Sequence, residues 1–213
     1  MRTRRLNKEY GDIDGLCREA ARILRGGGVV ALPTETIYGL AANGLDAAAV
    51  GRLFAIKGRP PEKPISLLVC AGMDLNRLCA NIPDEARLLM ERFWPGPLTI
   101  VLKSSHLIPD VVTAGSGTVG LRSPRHALTE QILQAANLPL AAPSANLSGA
   151  ASPTTAAEVL AALDGDIDAI VDGGQTELGV ASTVLDMTGT PKIIRLGGLR
   201  VEEIEALLGD VAR

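Results

Sequence analysis

Between Lys57 and Pro64 the chain reads KGRPPEKP, which puts three cations, Lys57, Arg59 and Lys63, within seven positions. Gly58, Pro60, Pro61 and Pro64 prevent a helix from continuing through them, so the loop is expected to be stiff, exposed and positive. Cations on a constrained loop lose less entropy on meeting an anion than cations on a floppy one, which suits a site for phosphate or carboxylate. Loop cations alone are more often solvated surface. A second constellation shifts that balance: Ala142-Pro143-Ser144-Ala145-Asn146-Leu147-Ser148-Gly149 again sets small hydroxyl and amide side chains directly after an apolar run. So does the turn Pro33-Thr34-Glu35-Thr36. Cations with hydroxyls, and no evident general base, favour binding and neutralising an anionic substrate over hydrolysis by an activated nucleophile.

The whole chain sets the limits for that chemistry. With 213 residues, 46% hydrophobic and 21% charged, it has the balance of one globular domain with a sizeable core. No apolar run has the length of a membrane span, and Arg2, Arg4 and Arg5 are followed by no apolar signal region, so a cytoplasmic location is expected. Cys17, Cys70 and Cys79 form no CxxC pair and read as reduced core thiols. The two histidines, His106 and His126, are too few for a histidine zinc site and speak against a Ser-His-Asp triad; His126 is expected at the surface near a helix start. A net charge of -3 and one Trp, two Tyr and two Phe offer little overall drive or stacking surface for nucleic acid, so such contact would have to be local.

The elements that must position these residues follow from periodicity. Asp12 to Arg25 carries apolar residues at helical spacing and stops at Gly26-Gly27-Gly28, before a strand over Val29–Leu32. Asp46 can cap a helix that ends at Gly58 and delivers Lys57 and Arg59 at its C-terminus, where cations complement the dipole. Further on, the pattern predicts strand Ile65–Val69, helix Pro83–Phe93, a Trp94-Pro95-Gly96-Pro97 corner and strand Leu98–Lys103. Phe93 and Trp94 are expected as core anchors. A loop over His106–Gly117 precedes strand Thr118–Arg122, helix Leu128–Ala136 and strand Leu138–Ala142. A helix Thr155–Leu163 capped by Ser152 or Thr154, strand Ala169–Asp172, strands Ser182–Leu185 and Lys192–Leu196, and helix Val201–Leu208 complete the alternation. No linker or internal repeat interrupts it, so one α/β domain over residues 1–213 with a mixed, twisted sheet is the economical reading.

The polar residues gather at strand ends, where loops of open α/β sheets converge on ligands. No GxxxxGK[ST] loop is present, and the glycine triplet precedes a strand rather than following one, so a nucleotide would be held by another device.

Six segments in order, PTETIYGLA, KGRPPEKP, WPGPLT, VGLRSP, APSANLSG and GVASTVLD, closely resemble the YrdC/Sua5 family of L-threonylcarbamoyladenylate synthases, over roughly Gly15 to Leu208. The chain looks like the short form of that family, with the YrdC domain only. The resemblance implies the YrdC/RibB-like α/β fold, a twisted mixed sheet around a large central cavity. It implies a nucleotidyltransferase that combines L-threonine, bicarbonate or CO2, and ATP with Mg2+ into threonylcarbamoyl-AMP and pyrophosphate. A tRNA threonylcarbamoyl transferase complex would then pass the group to A37 of tRNAs reading ANN codons, with direct tRNA contact by this chain expected to be weak.

Position by position, the resemblance implies that Lys57 and Arg59 are catalytic and grip the ATP phosphates. Lys63, Thr118, Ser144, Asn146, Ser152 and Arg195 complete the nucleotide side. Thr34, Ser66, Arg122, Ala142 and Ser182 would form the threonine pocket, with Arg122 facing the α-carboxylate through a two-pronged hydrogen bond. No metal ligand is assigned. Tyr38 could line the cavity or pack in the core. Read singly, Ser152 could be only a helix cap, Thr34 only a turn former and Arg195 only a surface strand residue. Two other readings stay open: a non-catalytic RNA-binding or ribosome-assembly factor, and a carbamoyl-transfer domain like that of hydrogenase maturation proteins.

Overall fold

The computed structural model describes residues 2–7 and 12–213. In chain order its elements are β1 (Arg4–Leu6), α1 (Ile13–Arg25), β2 (Val30–Leu32), β3 (Gly39–Asn43), α2 (Ala47–Lys57), β4 (Leu67–Leu68), α3 (Asp84–Phe93), β5 (Leu98–Lys103), α4 (Asp110–Thr113), β6 (Thr118–Arg122), α5 (Ala127–Ala136), β7 (Leu140–Ala141), α6 (Ala156–Leu163), β8 (Ala169–Val171), β9 (Thr183–Asp186), β10 (Lys192–Arg195) and α7 (Val201–Leu208). The strands form one mixed sheet in the order β1-β8-β2-β3-β7-β4-β6-β5-β9-β10.

Residues paired across neighbouring strands share a face, so the registers assign every strand residue to one side. One side carries Ala31, Leu40, Leu67, Ile100, Leu121 and Leu185, and α2, α3, α6 and α7 pack onto it in the larger apolar cluster. The other side carries Val30, Ala41, Leu68 and Leu140, and α1 and α5 cover it. That pair of helices reaches only as far as β4. Beyond it, buried residues alternate with half-exposed ones along β6 and β9, the signature of a sheet with one face packed and the other unroofed by helices. The stretch without helices carries Ser66 and Gly120, the buried Arg122, Thr99 and Ser182 and, through a local irregularity, Arg195.

That irregularity lies in β10. Ile193 pairs with Leu185, but Arg195 pairs with Val184, so one extra residue stands between them. In regular pairing Arg195 would share the helix-packed face with Ile193. The bulge re-aims it toward the uncovered face.

Several expectations need correction. β1 and β3 were not expected: Arg4-Arg5-Leu6 is a cationic edge strand of the kind that discourages further pairing, and Gly39-Leu40-Ala41-Ala42-Asn43 lacks the β-branched residues that mark a strand. Strands expected over Ile65–Val69 and Leu138–Ala142 shrink to Leu67–Leu68 and Leu140–Ala141, and the loop His106–Gly117 contains α4. The cap of α6 is neither Ser152 nor Thr154 but Thr155, whose hydroxyl accepts from Glu158 N in a reciprocal capping box. Phe93 and Trp94 are only partly buried, though they do pack against the larger core cluster. His126 is half-buried, with Nδ1 wholly removed from solvent. The thiols are free, Cys17 and Cys79 buried and Cys70 half-buried.

Candidate functional site

Lys57 is the last residue of α2. Gly58 adopts a left-handed conformation (φ 56°), and Arg59 N donates back to Phe54 O at 3.0 Å, so the chain reverses at the helix end and leaves the Lys57 side chain directed inward. Only 2% of the lysine is exposed. Its Nζ donates to the backbone oxygens of Ser144 and Asn146, and Ser148 N donates to Lys57 O at 2.8 Å. The cationic loop and the loop after β7 are thereby latched together. Burial, with the nearby Arg59 charge adding to it, pushes the ammonium down to about 8. Asn146 braces its own turn, its Nδ2 donating to Leu147 O and Ala150 O, while its Oδ1 is buried without a partner. Ser144 is half-exposed.

Arg59 stiffens the loop it stands on: Nε donates to Lys63 O at 3.1 Å and Nη2 to Pro64 O at 2.8 Å. Burial lowers its affinity for its proton. The Lys63 side chain is exposed. Ser66 O accepts from Ala142 N at 3.0 Å, so these two expected pocket residues are neighbours. A Cβ on Gly120 would stand 2.7 Å from Ser66 Oγ and 3.1 Å from Thr99 Cγ2, so the glycine leaves room for both.

Across the uncovered face, Arg122 is 7% exposed. Its Nη2 stands 2.8 Å from Glu35 Oε2, and its Nε donates to Gly96 O at 3.1 Å. Burial lowers its pKa against the opposing pull of the Glu35 charge. Arg195 donates from Nε and Nη2 to Ser182 O and from Nη2 to Ser182 Oγ, at 2.8 to 3.3 Å. Its pKa is also lowered, first by burial and then by the charge of Arg122. Ser182 Oγ shares a hydrogen bond of 2.8 Å with Thr99 Oγ1. Thr99 and Glu35 are members of this cluster that residue-by-residue reading of the sequence passed over.

Three expected residues stand apart in their contacts. Thr118 bonds through its hydroxyl to Ser116, two positions along β6 from Gly120 and on the same face. Ser152 is exposed. Thr34 spends its hydroxyl locally, donating to Ile37 O at 2.6 Å and accepting from Thr36 N and Ile37 N, so what it offers a ligand is the shape of the turn. Tyr38 resolves as core: it is fully buried, and its OH donates to Gly174 O at 2.7 Å. Burial pushes the phenol up to about 12.

The electrostatic result is lopsided. Among the described residues, no carboxylate lies within ion-pairing reach of Lys57, Arg59, Lys63 or Arg195, while Glu35 meets Arg122. Nor do the described residues hold any group of three or more His, Cys, Asp or Glu that could bind a metal ion. Two surface cavities of about 500 and 610 Å3 lie outside this cluster, one beside Arg2, Arg52 and Asp168 and one beside Asn7, Leu128 and Gly174. Among the described residues, no helix is long and apolar enough to cross a membrane.

Residues 22–197 match the family Sua5_yciO_yrdC, described as "Telomere recombination". The threonylcarbamoyl-AMP synthase of Pyrococcus abyssi is 47% identical over 195 residues, which are 91% of this chain and 57% of that protein. The threonylcarbamoyl-AMP synthase of Bacillus subtilis is 44% identical over 218 residues, covering 99% of this chain and 63% of its own length. The chain thus spans about three fifths of the length of these relatives. The crystal structure of P. abyssi Sua5 complexed with L-threonine superposes with a TM-score of 0.95 at 43% identity, covering 100% of this chain and 62% of that one.

Proposed function

The chain belongs to the Sua5/YciO/YrdC family, and from that premise we propose that it is an L-threonylcarbamoyladenylate synthase. It takes L-threonine, bicarbonate or CO2, and ATP to threonylcarbamoyl-AMP and pyrophosphate. The observation that carries this reading is the set of cations that meet no carboxylate among the described residues, Lys57, Arg59, Lys63 and Arg195, together with a buried Arg122 whose charge acts on Arg195. Threonine's neutral amine adds to CO2, forming the C–N bond and giving up one N–H proton to solvent, which leaves a carbamate. A carbamate oxygen then attacks the α-phosphorus of ATP, and the bond to the β-phosphate oxygen breaks to release pyrophosphate. ATP, threonine's carboxylate, the carbamate, the acyl adenylate and pyrophosphate all carry negative charge, so the site has to gather negative groups and stabilise the leaving charge, which is positioning and electrostatics.

In this reading Lys57, Arg59 and Lys63 hold the phosphates, with Ser144 and Asn146 beside them and Thr118, Ser152 and Arg195 completing the nucleotide side. Thr34, Ser66, Ala142, Ser182 and Arg122 line the threonine side; that a relative of 43% identity is seen complexed with L-threonine supports threonine as the substrate. Mg2+ enters as part of the MgATP substrate, carried on the phosphates. The product is passed on to a tRNA threonylcarbamoyl transferase.

The test is pyrophosphate release by the purified protein with ATP, Mg2+ and bicarbonate, with and without L-threonine and with L-serine for comparison. Release that depends on threonine, with the mass of threonylcarbamoyl-AMP, is the expected outcome. A folded protein that releases none under any of these conditions would overturn it.

A further inference from the structure

Glu35 ties three segments of the site wall together, and the reaction as written gives it no part. Its side chain is 1% exposed. Its backbone oxygen accepts from Leu178 N at 2.8 Å, and its Oε2 accepts from Arg125 N at 3.1 Å while lying 2.8 Å from Arg122 Nη2. The Arg125 side chain in turn grips both carboxylate oxygens of Glu177 at 3.0 Å. The turn after β2, the exit of β6 and the segment between β8 and β9 therefore meet at this one residue, the last through its backbone oxygen and the exit of β6 through its carboxylate. Arg122 is held at two points of its guanidinium, Nε on Gly96 O and Nη2 against Glu35, which fixes both the plane of the group and its rotation in that plane. The contact is one of charge: neither Glu35 Oε1 nor Arg122 Nη2 has an aligned hydrogen-bond partner.

We infer that Glu35 is a positioning residue for the amino-acid substrate: acting through Arg122, it holds the guanidinium where the substrate's α-carboxylate must meet it. The inference rests on the reading of Arg122 as the carboxylate partner. A buried guanidinium stripped of its counter-charge is costly to keep in place and turns toward whatever acceptor is near. A long cationic side chain free to turn loses more on forming each hydrogen bond than one already fixed. Glu35 touches no expected nucleotide-binding residue, so its removal should register on threonine and spare ATP.

The experiment compares steady-state pyrophosphate release in Glu35→Gln, Glu35→Asp, Arg122→Met and the double variant Glu35→Gln/Arg122→Met. Glu35→Gln is expected to raise the threonine KM about tenfold or more with the ATP KM within about twofold, and Glu35→Asp, which keeps the charge on a shorter stem, to raise it less. Because Glu35 acts through Arg122, the double variant should be no worse than Arg122→Met alone. Equal increases in both KM values, or effects that multiply in the double variant, would overturn the inference. Arg122→Met without effect on the threonine KM would bring down the pocket reading and this role together. An effect of Arg122→Met without one of Glu35→Gln would bring down only the role of Glu35. Should Glu35→Gln fail to fold, Glu35→Asp carries the same comparison, and an unchanged threonine KM in it counts against the proposal.

Discussion

Lys57 does two jobs that can be separated by pH. As an ammonium it supplies charge, and as a donor it latches the loop after β7 through the backbone oxygens of Ser144 and Asn146. A neutral amine still has two N–H bonds, enough for both oxygens, so loss of the proton removes the charge without releasing the loop. With the folded-state value near 8, kcat/KM for ATP is expected to fall as pH rises through about 8, and Lys57→Arg to lack that alkaline limb, because a guanidinium does not titrate there. A wild-type profile flat to about pH 9.5 would contradict it. Stability should move the other way. The folded value lies below the unfolded one of 10.5, so between about 8 and 10.5 the unfolded chain binds more protons and stability contributed by this group rises with pH; its penalty is fully present below about 8. Lys57 was expected on an exposed loop and the structure buries it instead; its charge was legible in the sequence. Its partners were not, since a backbone oxygen carries no residue identity. Glu35 was hidden differently: it is one of 24 acidic residues, and only the fold brings Arg122 to it across 87 positions of chain.

The strands that carry the site are short, and their alternation does the aiming. Along β6, Val119 and Leu121 enter the helix-packed core while Thr118, Gly120 and Arg122 face the other way. Gly120 is the low point of that face, with Ser66 and Thr99 leaning over it. In Gly120→Ala the added methyl would stand 2.7 Å from Ser66 Oγ, so the serine must turn away, at a cost on the order of 1 kcal/mol for the crowding. If Ser66 lines the threonine side, the threonine KM should rise several-fold with the ATP KM little changed. An unaltered threonine KM together with a displaced Ser66 in the variant's structure would remove Ser66 from the pocket. Period-two apolar patterning made β5, β6 and β9 legible in advance. The bulge in β10 was not, because Lys192-Ile193-Ile194-Arg195 reads equally well with or without an extra residue, and the pairing with β9 decides it. Arg195 was singled out by the family resemblance and not by one of the six quoted segments, while its aim at Ser182 depended on that irregularity.

On the scale of the whole molecule, helices cover one face of the sheet throughout and the other for only half its width. A formal net charge of -3 concealed what this does, because the totals say nothing of where the carboxylates sit. Glu19, Asp168 and Glu177 are taken up by Arg4, Arg22, Arg52 and Arg125, while among the described residues no carboxylate pairs with Lys57, Arg59, Lys63 or Arg195 around the uncovered half-face. Its two sides are built from different loops. Lys57 latches residues 57–66 to residues 142–150, and Glu35 latches residues 33–37 to residues 176–178. Ligands that bind the native state alone stabilise it by mass action, by about 2.7 kcal/mol at a hundred times Kd, and the amides they protect should report which latch they engage. Amide hydrogen exchange is therefore expected to slow over 57–66 and 142–150 together when MgATP is added, because Lys57 makes them one unit. L-threonine should slow 33–37 and 176–178 together, because Glu35 joins those. Lys57→Met ought to uncouple the first pair, so that residues 142–150 lose protection by MgATP even where residues 57–66 retain some. If MgATP protected residues 142–150 as fully in that variant as in the wild type, the nucleotide would be ordering that loop directly. The lysine would then be a contact like any other, and not the link between the two sides of the phosphate site.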